Sequence, residues 1–112
     1  MKVFNYKSLP ENDETCCIKT RVKELIAEEI GAENLNIKLF EMQPGGYSPL
    51  HNHPPEHRVL VIEGEGVIFN GEKATAIRNG DVIFIASNER HQFKNTGDKA
   101  LKLLDITINV EE

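Results

Sequence analysis

The sequence predicts an all-β protein built as a sandwich or barrel, and two observations carry this prediction. From residue 35 onward the chain consists of short runs of β-forming residues. Turn signals divide these runs at short intervals, among them the hairpin dipeptides Asn70-Gly71 and Asn79-Gly80. Many short strands with short links are typical of an antiparallel sheet that closes on itself or packs in two layers.

Each strand of this region is expected to end at a turn. The expected strands cover, in order, residues 36–42, 57–64, 67–70, 72–77, 81–86, 91–95 and 100–110. The first, NIKLFEM, is expected to stop at Pro44-Gly45-Gly46, because proline lacks a backbone N–H and glycine weakens a strand. The second, HRVLVIEG, is expected to end at the Gly64-Glu65-Gly66 turn.

Residues 1–34 are expected to form an N-terminal arm in front of a barrel that covers residues 35–110. Residues 16–22, CCIKTRV, are rich in β-forming residues and are expected to be extended. Beyond them apolar residues recur at helical spacing, and Gly31 is a candidate C-terminal cap. Any short helix in the arm is therefore expected to begin near Lys23.

The bulk composition predicts a single domain over residues 1–112 with no nucleic-acid or membrane partner. The formal net charge of −5 and the scattered Lys and Arg residues disfavour contacts with a phosphate backbone. No apolar run approaches the roughly 18 to 20 residues of a membrane span. The first residues, MKVFNYKSLP, lack the apolar core of a secretory signal, so a cytoplasmic location is expected.

The four histidines of the chain fall where two strands begin or end. His51, His53 and His57 lie in the segment HNHPPEH, and His91 follows a turn. Residues two apart in an extended chain face the same side, so His51 and His53 present their imidazoles to one object. The two prolines bend the chain and allow His57 to turn toward the same point. The pattern predicts a mononuclear metal site.

The spacing of these residues resembles two sequence motifs of the cupin superfamily. Gly45, His51, His53 and Gly64 fit the first motif, which runs glycine, five residues, His-x-His, three or four residues, glutamate, six residues, glycine. Gly80, His91 and Asn95 fit the second, in which Ala86 and Asn88 replace a proline and a glycine. The resemblance covers most of the chain after residue 35 and implies a small cupin β-barrel of jelly-roll type.

His57 stands where the first motif has its glutamate. Either the site has lost its carboxylate and its metal, or the chain is similar to the four-histidine cupins, whose short members carry a related His-x-His-Pro-x-Glu-His string. The second interpretation is favoured, because a decayed position could hold any residue and this one holds another good ligand. Glu56 is displaced by one position and is expected to face away.

The resemblance implies one divalent transition metal per chain, held by His51, His53, His57 and His91. Iron or manganese is expected first, with nickel, zinc and copper as alternatives. Four imidazoles leave two positions of an octahedral ion open, and the leading hypothesis is a dioxygenase-like oxidoreductase acting on a small organic substrate. The charge of the ion favours an anionic substrate. A metal-dependent isomerase or lyase, and a non-enzymatic cupin that binds or senses a small ligand, are the alternatives.

The pocket around the ion is expected to be mostly apolar, with one acidic residue. The expected lining residues are Phe40, Met42, Tyr47, Leu50, Val59, Phe93 and Leu103. Asp105 interrupts the apolar run of the last strand, on the same side as Leu103. If Asp105 points inward, it acts as an acid or base beside the ion; if it points outward, it is a solvated edge residue.

The apolar surface of the strands predicts a homodimer. Residues 59–62, VLVI, are apolar on both sides of the strand, and the arm adds further β-forming residues. This is more hydrophobic surface than one small barrel covers, and the resemblance adds that cupins often pair by exchanging edge strands. The expected partners are a second copy of the chain and a small-molecule substrate or ligand.

Overall fold

The computed structural model describes residues 1–11, 17–27 and 34–108, and the regular structure in these ranges is nearly all β. Eight strands of this part of the chain form one sheet. They are β1 (Ile18–Ile26), β2 (Leu35–Tyr47), β3 (His57–Glu63), β4 (Glu65–Phe69), β5 (Ala74–Arg78), β6 (Val82–Ile85), β7 (Gln92–Lys94) and β8 (Leu101–Ile108). A short 3-10 turn lies at Tyr6–Ser8. The predicted all-β class is confirmed.

The order of the strands differs from their order in the chain, as a jelly roll requires. The sheet runs β5-β4-β7-β2-β8-β3-β6, and β1 pairs with β2 beside this path. Strands β2 and β8 pair without interruption from Leu35 opposite Ile108 to Met42 opposite Leu101. This long antiparallel pair forms the middle of the sheet, and its neighbours curl around a pocket on one face. In the described ranges no helix is long and apolar enough to cross a membrane.

Strand β2 does not stop at Pro44-Gly45-Gly46, as the sequence predicts, but runs to Tyr47. Gly45 has a φ of 81°, a conformation that glycine adopts without strain. The strand therefore changes direction without ending, and Tyr47 pairs with Ile18 of β1 and with Lys94 of β7.

The helix expected to begin near Lys23 does not form over Lys23–Ile26, because these residues belong to β1. They pair with β2, with Lys23 opposite Leu39 and Glu24 opposite Lys38. Pairing with a neighbouring strand overrides the helical spacing, which is a local property. The remainder of the expected helix, residues 28–33, lies outside the described residues.

The core lies on the concave face of the sheet, where alternate residues of the central strands point inward. Its buried members are Met42, Val59, Val61, Ile77, Ile85, Leu101 and Leu103. Partly buried Phe40 and Phe93 pack against this cluster and lead from the core into the pocket.

Asn95 ties β2 to the turn before β8. Its side-chain N–H groups donate to the carbonyls of Met42 and Lys99, both at 2.8 Å, and its Oδ1 accepts from the N–H of Gly97 at 2.9 Å. The residue is only 4% exposed. Both its donors and its acceptor are used, which explains an asparagine at this position of the second motif.

Replacing Asn95 by alanine should destabilise the protein, because the carbonyls of Met42, which is buried, and of Lys99 both lose their donor. A buried polar group left unsatisfied costs about 1–3 kcal/mol, so we expect the free energy of unfolding to fall by about 2–4 kcal/mol. Urea unfolding followed by circular dichroism measures the change. Asn70→Ala is the control, because its side chain accepts two exposed turn hydrogen bonds. An equal loss in the two variants would contradict the structural role of Asn95.

Candidate metal centre

Two segments of the chain bring the four histidines together. His51 and His91 form an antiparallel bridge, in which the N–H of His51 donates to the carbonyl of His91 at 3.2 Å and the reverse bond measures 2.9 Å. The carbonyl of His53 accepts from the N–H of Asn88 at 2.9 Å, and His57 begins β3. Asn88 has a φ of 61°, so it adopts the left-handed conformation that suits the glycine of the second motif.

The imidazole rings of His51, His53 and His91 form one cluster. Their ring centroids lie 4.6 Å apart for His51 and His53, 4.8 Å for His51 and His91, and 5.1 Å for His53 and His91. Their candidate ligand atoms all lie within 4.8 Å of one another. Two nitrogens bound to one ion at about 2.1 Å lie at most about 4.2 Å apart, so small rotations of the rings bring these atoms to coordination distance. The three residues fit a transition-metal ion.

His57 adds a fourth ring and connects the cluster to an acid. Its ring centroid lies 4.5 Å from that of His53 and 5.2 Å from that of His91. Its Nε2 is 2.9 Å from Nδ1 of His53, and its Nδ1 is 3.0 and 3.1 Å from the two carboxylate oxygens of Asp105. A carboxylate at Nδ1 keeps a proton on that atom and leaves the lone pair on Nε2, which faces the other imidazoles.

The backbone assigns the tautomer of His91 in the same way. Its Nδ1 lies 2.9 Å from the carbonyl oxygen of Glu89, and a carbonyl only accepts hydrogen bonds. Nδ1 therefore carries the proton, and Nε2 is the atom with a lone pair for a metal ion.

Burial keeps the clustered imidazoles neutral, which is the form that binds metal. Burial lowers the pKa of His53 from 6.5 to about 4, helped by repulsion from the neighbouring imidazoles when they are protonated. Burial is also the main reason that the pKa values of His51 and His91 are lowered. In His91 the hydrogen bond with Glu89 opposes the shift.

The histidines line one wall of a cavity of about 370 Å³ on the concave face. This volume is near the lower end of the roughly 300–1,000 Å³ typical of small-molecule sites. Asp105 lines the cavity, as do five of the residues expected there: Phe40, Met42, Val59, Phe93 and Leu103. The cavity therefore joins the histidine cluster to an apolar floor.

Tyr47 and Leu50, which are also expected in the pocket, are not among its lining residues. Adjacent residues of an extended chain point to opposite faces, and Ser48 and His51 take the inward direction next to them. Tyr47 is 44% exposed and borders a second, shallow depression beside Lys94. Tyr47 takes this position because β2 continues past the predicted turn.

Seven further residues line the cavity that sequence reasoning did not assign to it, and most of them are polar. They are Cys17, Glu24, Asn36, Lys38, Ser48, Pro55 and Thr107. Lys38 alternates with Phe40 in β2, and Thr107 alternates with Asp105 in β8, so strand periodicity alone assigns both to the inner face. Glu24 could not be found in this way, because its place depends on the pairing of β1 with β2.

Comparison with known proteins identifies the family. Residues 38–107, more than half of the chain, match the family model described as Cupin domain. The chain belongs to the cupin family. The resemblance of its two motifs to cupin motifs is thereby confirmed, and the histidine cluster occupies the pocket of a cupin barrel.

Three proteins that are similar to this cupin are named for different activities. It is 34% identical over 68 residues to 1-methylthio-D-xylulose 5-phosphate methylsulfurylase of Rhodospirillum rubrum. The matched region covers 61% of this chain and 44% of that protein, so the cupin spans less than half of this relative. The structure of the polyketide cyclase RemF from Streptomyces resistomycificus has a TM-score of 0.88 and 25% identity, covering 96% of this chain and 79% of that one. A predicted oxalate decarboxylase from Thermotoga maritima has a TM-score of 0.83 and 24% identity, covering 97% and 100%.

Acid should destabilise the metal-free cupin through His53. Its pKa of about 4 in the folded protein lies below the ordinary 6.5, so between these values the unfolded chain binds more protons, and stability falls as the pH falls through this window. Thermal unfolding with a chelator at about pH 7.5 and about pH 5 measures the effect. The melting temperature of His53→Gln should fall less than that of the wild type. The same fall in both proteins would contradict the lowered pKa of His53.

Proposed function

We propose that this cupin is a metal-dependent enzyme that acts on a small organic substrate inside its barrel. One observation carries the proposal: the candidate ligands His51, His53 and His91 stand at the wall of a cavity of about 370 Å³. Structural metal sites are closed by protein ligands, whereas catalytic sites keep positions for exchangeable ligands. A centre that faces a cavity is of the second kind, because a bound molecule reaches it directly.

The cofactor in this proposal is one divalent transition metal per chain, with iron or manganese first and nickel, zinc or copper as alternatives. His57 is the proposed fourth ligand, and its Nε2, which now contacts Nδ1 of His53, would be the atom that binds the ion. Support comes from Asp105, which leaves the lone pair of His57 on Nε2. Neutral imidazoles do not offset the charge of the ion, which therefore supplies a Lewis acid that attracts and polarises anionic substrates.

Asp105 is proposed to position His57. Both its oxygens lie within hydrogen-bond distance of Nδ1, and the two side chains are only 12% and 14% exposed. Low exposure strengthens the interaction and restricts the ring to one orientation. Asp105 thereby holds the proton of His57 at Nδ1, away from the atom that would bind the ion. The acid–base role that the sequence predicts for Asp105 would also require Asp105 to contact the substrate directly.

Two reaction classes remain candidates for this centre. The first is the dioxygenase-like oxidation that the sequence favours, in which substrate and dioxygen are consumed together. The second is a metal-dependent isomerase or lyase. Of the three relatives described above, one is named as a polyketide cyclase and one as a methylsulfurylase, and none is named as an oxygenase. This observation favours the second class, whereas the open centre is compatible with both.

Turnover with and without oxygen separates the two classes. Metal-loaded protein is incubated with a panel of small carboxylates and 1,3-diketones, products are followed by mass spectrometry, and oxygen uptake is followed with an electrode. Uptake in proportion to product supports the dioxygenase-like enzyme, and product without oxygen supports the isomerase or lyase. Binding without product under both conditions would contradict an enzymatic role and assign the chain to ligand binding or sensing. His51→Ala is the control for metal dependence.

Metal affinity should depend on His57 and, less strongly, on Asp105. Protein without a polyhistidine tag should hold about one transition-metal ion per chain, and His57→Ala should lose most of it. Asp105→Asn should bind about 10- to 100-fold more weakly, because the orientation of His57 is less well fixed. Equilibrium dialysis with elemental analysis measures both. Glu56→Gln is the control, since Glu56 pairs with Arg58 at 3.4 Å. Unchanged metal content in His57→Ala would reduce the site to three histidines.

We also propose that the cupin is a homodimer. Strand β6 stands at one end of the sheet path, and exposed Val82 and Phe84 lie beside Leu60 and Arg58 of β3. Val82 is 78% exposed and Phe84 is 57% exposed, so together they offer an apolar patch, on a strand at the end of the sheet, to a second copy.

Light scattering coupled to size exclusion should give about twice the chain mass of 12.6 kDa. The double variant Val82→Lys and Phe84→Lys should give the mass of one chain, because like charges from the two copies would be brought together in the interface. Val3→Lys changes another residue that is 89% exposed and should leave the mass unchanged. A wild-type mass of one chain would refute the dimer.

A further inference from the structure

We propose that Lys38, supported by Glu24, recognises the end of the substrate that lies away from the metal, and that this pair selects organic acids with a second anionic group. The inference rests on the proposed function, because it concerns the same pocket. It adds the substrate class and assigns the residues that select it.

Three charged residues stand side by side on the cavity wall. Glu24 of β1 is opposite Lys38 of β2, and Lys38 is opposite Asp105 of β8. All three line the cavity, and neighbouring strands lie about 4.8 Å apart. Lys38 is therefore one strand away from Asp105, which contacts the histidine cluster through His57. Glu24 is one strand farther from the cluster.

The position of this row indicates a role in binding rather than in packing. The row that follows on the same face consists of Val22, Phe40 and Leu103, of which Val22 is 0% and Leu103 is 3% exposed. Charged groups beside such an apolar floor lose hydration, and this cost is not recovered through packing. Apolar residues at positions 24, 38 and 105 would fit the inward-facing periodicity of the strands equally well. Charged side chains that converge on a small apolar cavity are the usual means of orienting a ligand.

The charge balance of the metal-loaded pocket favours an anion. The divalent ion and Lys38 together carry more positive charge than Asp105 and Glu24 carry negative charge. Both oxygens of Asp105 lie at Nδ1 of His57. An ammonium group has three donors, so Lys38 can interact with Glu24 and with a substrate anion at the same time. An acid with two anionic ends satisfies both cations, one end at the metal and the other at Lys38.

Glu24 lies outside the residues that match the family, which begin at residue 38. Strand β1 adds it to the pocket by pairing with β2. The N-terminal arm is thus part of the pocket wall, and substrate choice in this chain depends partly on a segment that the family model does not cover.

Isothermal titration calorimetry on the metal-loaded protein tests the inference. Propionate is the one-ended anion, and succinate, glutarate and 3-phosphonopropionate are the two-ended anions. Wild-type protein should bind at least one two-ended anion about tenfold more tightly than propionate, since a charge-assisted hydrogen bond to Lys38 is added. The comparison of carboxylate and phosphonate ends shows which second group Lys38 prefers.

Lys38→Met should lose the preference for two-ended anions and keep the affinity for propionate. Lys38→Arg should retain the preference, and Glu24→Gln should reduce it, because Glu24 orients the ammonium. Lys73→Met, at an exposed turn, is the matched control. Circular dichroism and metal content establish that each variant is folded and loaded.

Two results would overturn the inference alone: equal affinities of wild type for one-ended and two-ended anions, or a preference that persists in Lys38→Met. Failure of the proposed function gives a different pattern. The preference would then depend on Lys38 but remain unchanged after the metal is removed. No binding of any anion to the wild type would overturn both.

Discussion

The pair of backbone hydrogen bonds between His51 and His91 is the constraint on which the site depends. It joins the segment that follows β2 to the segment that precedes β7, and these segments are far apart in the sequence. Once the two backbones are paired, the rings of His51, His53 and His91 must share one small volume. The imidazoles then favour the neutral form, because burial penalises their charge. Neutral imidazoles brought together in this way are suited to share one metal ion as ligands.

The inner face of the sheet is organised around this cluster. Asp105 and His57 connect the cluster to β8, and the row of Asp105, Lys38 and Glu24 carries charge across three strands. The apolar residues Phe40 and Leu103 form the floor beside this row. The candidate metal ligand His57, the charged residues and the packed apolar residues therefore occupy successive rows of one sheet face, and strand periodicity assigns each residue to its row. The arm contributes through β1 rather than through a separate structure.

Much of the fold could be predicted from the sequence, because the signals are local. Alternating residues and turn dipeptides such as Asn70-Gly71 locate β3 to β8, and the spacing of His51, His53 and His91 places them in one cluster. The local signals fail where two interpretations fit the same residues. Lys23–Ile26 have helical spacing as well as β-forming character, and only the pairing with β2 decides between them. Gly45 resembles a strand end, although its positive φ lets β2 continue to Tyr47.

The contact of His57 with Asp105 could not be predicted for a different reason. Periodicity places Asp105 on the inner face, but the contact depends on the register of β3 and β8, in which Val59 is opposite Asp105 and His57 is opposite Thr107. The register is set by the whole sheet and cannot be derived from the sequence of either strand alone. The place of Glu24 in the pocket could not be predicted for the same reason, because its neighbour Lys38 is known only once β1 and β2 are paired.

Anomalous scattering from crystals grown with Mn²⁺ tests the central claim most directly. The account predicts one strong peak at the manganese edge per chain, with imidazole nitrogens of His51, His53, His57 and His91 at about 2.2 Å from it. A pocket without a peak, with the imidazole rings turned away from one another, would contradict the account.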